Sequence, residues 1–113
     1  MASKTFKIPG DQIKQLIPNM GGCFATDHIT VLGKKVGYMY REQADRTEDS
    51  GWRFFSGEES QAYVDDPLNT SIYAVNTIAN YDPAIIPYLG HPPSCAFERV
   101  PDTATFTPVR AEG

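Results

Sequence analysis

At 113 residues, 41% hydrophobic and 21% charged, the chain has the composition of one globular domain, not of a disordered or fibrous segment. No apolar run approaches the roughly 20 residues that a membrane-spanning helix needs. The N-terminal Met-Ala-Ser-Lys-Thr-Phe-Lys also lacks the apolar stretch of a secretory signal, which points to a cytoplasmic protein. The net charge of −4 is unevenly spread. Glu42, Asp45, Glu48, Asp49, Glu58, Glu59, Asp65 and Asp66 stand against only Arg46 and Arg53, so this segment carries −6 and the rest +2. Such a field disfavours nucleic acid, whose phosphates are held by Lys and Arg, and favours a basic partner.

In chain order, residues 1–10 read as an extended arm, with a strand through Phe6 and Ile8. Asp11 caps an expected short helix in which Ile13, Leu16 and Ile17 share a face, and Pro18 stops it. Cys23 to Thr26 is a buried strand candidate. His28 to Leu32 and Val36 to Arg41 are expected to form a hairpin about Gly33-Lys34. The strand through Glu42 should then pair, across the charged loop Gln43 to Ser50, with the stretch at the centre of the chain, Gly51-Trp52-Arg53-Phe54-Phe55-Ser56. Alternation puts Trp52 and Phe54 on one face and Arg53 and Phe55 on the other. Trp52 and Phe54 read first as core, with an anchoring role in an interface as the second reading of Trp52.

Ser56 followed by Glu59 is a capping-box pattern and predicts a helix from Ser56 to about Asp66-Pro67. Ile72 to Val75 is a strand candidate that would also line a helix. Asp82 and Pro83 open a short helix buried through Ile85, Ile86 and Leu89, with Pro87 late in it and Gly90 at its end. Cys95 to Val100 reads as the closing strand, and the tail from Pro101 to Gly113 as loosely held. The pattern is α+β: one domain over 1–113, a mainly antiparallel sheet with two or three short helices, and a core over about 20–100.

No P-loop, GxGxxG, HExxH or nucleophile-elbow pattern is present. The spacing of Cys23, His28, His91 and Cys95 does not resemble a zinc site, and the two cysteines read as reduced. The sequence therefore assigns no catalytic residue, metal or cofactor.

Three runs taken together carry a resemblance: Val36 to Glu42, Asp49 to Glu59, and Asn76-Thr77-Ile78-Ala79-Asn80-Tyr81-Asp82-Pro83. In this order they resemble a bacterial family first catalogued as a domain of unknown function and later grouped as the thirty-third type of immunity-protein domain in the polymorphic-toxin classification. Gly51 to Gly57 is its most specific part, and the likeness covers about residues 20–100. The resemblance implies an α+β domain that neutralises a cognate toxin by direct binding, without catalysis.

On that reading the expected contacts are Glu48, Asp49, Glu58, Glu59, Asp65 and Asp66, with Trp52 and Arg53 as anchors, facing a basic toxin. Two alternatives stand beside it. One is a small-molecule-binding domain or small enzyme with a pocket near Tyr40, Arg41, Trp52, Arg53 and Tyr81. The other is a domain that self-associates through strand edges or an aromatic patch.

Overall fold

The aromatic run at the centre of the chain forms the strand the sequence predicts, and the sheet is built around it. The computed structural model describes residues 4–109. Its strands are β1 (Gly22–Thr26), β2 (Tyr38–Arg41), β3 (Asp49–Phe55), β4 (Thr70–Ala74), β5 (Cys95–Arg99) and β6 (Phe106–Val109), in one sheet of order β4-β1-β3-β2-β5-β6. Helices α1 (Asp27–Thr30), α2 (Gln61–Asp65) and α3 (Val75–Tyr81) are short, and a 3-10 turn spans Pro83–Tyr88. Among the described residues, β1 and β3 pair in parallel and the other four pairings are antiparallel. The class is α+β.

One face of the sheet carries the core. Trp52 and Phe54 of β3, Met39 of β2 and Phe97 of β5 pack there under Ile29 of α1, Val75 and Ile78 of α3, and Ile85. Trp52 is 0% exposed, stacks on Phe54 at 6.0 Å, and donates its indole N–H to the Leu89 carbonyl at 3.2 Å. Its only polar atom is thus satisfied as its rings leave water. Gly51 precedes it within β3 at φ +88°, where a Cβ would lie 2.2 Å from the Glu42 carbonyl oxygen, so no larger residue fits there.

Four expectations are corrected. The segment from Ile13 to Ile17 is not helical, because the Asn76 and Asn80 side chains of α3 take the place of a backbone partner. Asn76 Oδ1 accepts from the Leu16 and Ile17 amides, and Asn80 Oδ1 accepts from the Lys14 amide. The expected hairpin at Gly33 is instead the end of α1. The Gly33 amide donates to the Ile29 carbonyl, and Gly33 takes the left-handed φ of +75° that closes a helix.

The capping box forms only in its returning half. Glu59 accepts from the Ser56 amide at 2.8 Å, but the helix starts later, with Ser60 accepting from the Tyr63 amide. Lastly, the stretch expected as a loose tail contains β6, whose Phe106 is buried against Tyr88. Residues 110–113 and the start of the N-terminal arm, 1–3, lie outside the described residues.

Candidate functional site: the open face of the sheet

The second face of the sheet presents side chains from every second strand position. Cross-strand register sets Ile72, Phe24, Arg53, Tyr40 and Ala96 in one row over β4, β1, β3, β2 and β5. The next row holds Phe55, Tyr38 and Glu98. Tyr38, Tyr40 and Phe55 are half-buried and form one ring cluster, with centroids 5.9 to 6.0 Å apart. Phe24 is 36% and Ile72 70% exposed. Burial pushes the Tyr40 hydroxyl above its ordinary pKa, and Glu42 adds to the rise, so it stays protonated and able to donate.

Arg53 sits in the middle of this face and is itself buried. Its guanidinium donates to both Asp49 oxygens, at 3.0 and 2.9 Å, and to Glu42 at 2.7 Å. Its carbon lies 4.5 Å from the Phe24 ring centroid. Burial opposes the charge, but the two carboxylates outweigh it and raise the Arg53 pKa. The same hydrogen bonds from Arg53 lower that of Asp49. Charge, aromatic face and strand register are locked together here.

The face opens at the Phe55 end into a cleft of about 750 Å³. Tyr38 and Phe55 line it with Val64, and carboxylates come from Glu58, Glu98 and Asp102. Arg99 also borders it, but its guanidinium is engaged by buried Asp82 and the carbonyls of Val36 and Thr103.

The expected acidic contacts do not converge as one group. Glu48 and Asp49 stand at the start of β3, whereas Glu58, Glu59, Asp65 and Asp66 follow its end. The seven residues of that strand separate them by about 20 Å. Several of them serve the fold. Glu59 is 3% exposed at its side chain and accepts from the Thr26 hydroxyl and the Ser56 and Gly57 amides. Burial alone would raise its pKa, but these donors outweigh it and lower it. Asp66 caps a 3-10 turn through the Leu68 amide, and Asp65 accepts from Gln61. Glu58 pairs with Lys34 at 2.6 Å and Glu48 with Arg46 at 3.6 Å, both exposed. Trp52, expected as an anchor, is sealed in the core and presents no surface.

The alternative pocket is not assembled either. Trp52 and Tyr81 are packed in the core, while Tyr40 and Arg53 lie on the opposite side of the sheet. Arg41 is held by the carbonyls of Ser50 and His91. Among the described residues, no group of three or more His, Cys, Asp or Glu is placed to hold a metal ion. Cys23 and Cys95 are both free, the first buried and the second half-buried. Tyr38, Glu98 and Asp102 were not singled out by sequence, although alternation in the strand Val36 to Glu42 places Tyr38 beside Tyr40.

A family model described as the Immunity protein Imm33 domain matches residues 23–110. The chain belongs to the Imm33 immunity protein family. No curated protein and no solved structure matches the chain. The Imm33 match runs on through β6, past the end expected near residue 100. It takes in the open face from Phe24 onward and both flanks of the cleft. The run Asn76 to Pro83, one of the three that carried the resemblance, works as scaffold in this Imm33 domain. Asn76 and Asn80 hold the N-terminal segment, the Tyr81 hydroxyl accepts from the Ile8 amide and donates to the Thr30 carbonyl, and Asp82 accepts from the Val36 amide.

Proposed function

We propose that this Imm33 protein neutralises a basic cognate toxin by binding it directly across the open face of the sheet, in the cytoplasm of the bacterium that makes both. The observation that carries this reading is the Tyr38–Tyr40–Phe55 cluster. It is a half-buried aromatic patch on the face away from the core helices, with exposed carboxylates at its margins. An apolar, aromatic centre inside a charged rim is the anatomy of a protein–protein interface. Glu58, Glu98 and Asp102 on one margin and Glu42 and Glu48 on the other would steer a basic surface onto it. The role asks no bond-making of the chain: occlusion of the toxin's site is sufficient.

Tagged protein recovered from the native host tests the reading. Wild type and an exposed control on the helix side, Leu32→Ser, should retain the same basic protein, and Tyr40→Asp should lose it. Retention by Tyr40→Asp at wild-type strength would sink the proposal.

A further inference from the structure

The two ends of the sheet are finished differently. At β6 the pair Phe97↔Pro108 places a proline, which has no N–H for another strand. At the other end, β4 reads Thr70-Ser71-Ile72-Tyr73-Ala74 and contains no proline and no charged residue, two of the usual guards of an edge. Leu68 and Ile72, at 75% and 70%, are the most exposed large hydrophobic side chains among the described residues. Ile72 lies directly across from Phe24, and a largely apolar hollow of about 250 Å³ runs beside the two. The side of β4 toward the helices is already fastened. Ser71 Oγ accepts from Lys4 at 3.1 Å, and the Phe6 ring meets Tyr73 edge-on at 6.0 Å. The strand is therefore held in place and, among the described residues, no further strand pairs with its outer side, where Ile72 stands exposed.

We propose that β4 pairs antiparallel with β4 of a second copy of this chain, about a two-fold axis at Ile72. That register pairs all five residues: Thr70 with Ala74, Ser71 with Tyr73, and Ile72 with itself. It keeps like side chains on like faces, so both open faces continue into one sheet. An uncharged edge offers nothing to a basic partner. Its complement is a neutral strand of matching length, which the chain itself supplies, and the Lys4 ammonium that lies on Ser71 is neutralised by Asp27 at 2.9 Å. Asp65 and Asp66 precede the strand, so antiparallel pairing sends the two acidic pairs to opposite ends. A five-residue strand spans only about 17 Å, so the contact is small and the dimer concentration-dependent. Tyr40 lies three strands from β4, about 14 Å away, so self-pairing leaves the proposed toxin surface free.

Sedimentation velocity on the purified chain tests this from about 10 µM to about 1 mM, the range of a weak contact of this size. Wild type should shift from monomer toward dimer, and Ile72→Lys should stay monomeric with unchanged circular dichroism and melting. Directly opposed positions also lie within disulfide reach. Ile72→Cys in a Cys95→Ser background should therefore oxidise to a dimer joined at position 72 alone, a readout that survives if the lysine variant misfolds. A wild type that stays monomeric throughout with no such crosslink, or a dimer that folded Ile72→Lys retains, would overturn the proposal.

Discussion

Arg53 faces Phe24 across the parallel pair β1–β3, its guanidinium carbon 4.5 Å from the ring centroid, while the same group holds Asp49 and Glu42. One side chain thus joins the start of β3, the end of β2 and the aromatic side of β1. Arg53→Met keeps the aliphatic stem and removes every polar tie. The expected loss is about 1–3 kcal/mol, because Asp49 and Glu42 are partly exposed and rehydrate. Arg53→Lys should recover less than half of it, since an ammonium cannot serve both carboxylates in the fork geometry. Urea denaturation of the three proteins measures both.

On the proposed function, Trp52 and Tyr40 should separate stability from binding. Trp52→Ala empties a fully buried site and should cost about 3–5 kcal/mol. Tyr40→Ala, on the half-buried face, should cost much less and yet weaken toxin binding by at least about tenfold. Melting curves paired with titrations distinguish the two effects.

Glu59 couples the fold to pH. Its pKa in the folded protein lies below the ordinary glutamate value of 4.5, so the stability it contributes is present above that value. It is lost as pH falls through the folded pKa. Glu59→Gln should cost about 2 kcal/mol at pH 7 and flatten the acid limb of the stability profile. Charge reversal at Glu59 would therefore disrupt the fold, whereas Glu58→Lys and Glu98→Lys should leave melting near wild type and weaken toxin binding most at low salt. Denaturant midpoints between pH 3 and 7, together with binding at two salt concentrations, check the set.

The cysteines should differ in chemistry. Burial pushes the Cys23 thiol up to about 12, and half-buried Cys95 is also raised. Native protein at pH 8 should label slowly at Cys95 and not at Cys23, with both reacting once unfolded. Mass spectrometry of alkylated peptides gives the answer.

Local chemistry was legible in the sequence wherever neighbours in the chain decide the outcome. The aromatic alternation of β3 placed Trp52 and Phe54 in the core, its pairing with β2 followed from proximity, and Asp82-Pro83 opened a short helix as expected, of the 3-10 type. What escaped depends on partners distant in sequence. Asn76 and Asn80 satisfy the backbone of a segment about 60 residues earlier, which no helical periodicity at Ile13 to Ile17 could reveal. Parallel pairing of β1 with β3 needs a crossover, and His28 to Leu32 reads from local pattern as one arm of a hairpin, whereas Asp27–Thr30 is a helix on that connection. The acidic residues looked like one surface because they are close in sequence. A strand between them turns closeness in sequence into separation in space.

The most direct measurement is calorimetric titration of the captured toxin with wild type, with Tyr38→Ala/Tyr40→Ala, and with the helix-side control Leu32→Ser. Binding through the open face predicts that the double variant loses at least about 100-fold in affinity while the control keeps wild-type affinity. Wild-type affinity in a folded double variant would place the toxin elsewhere on the molecule and contradict the account.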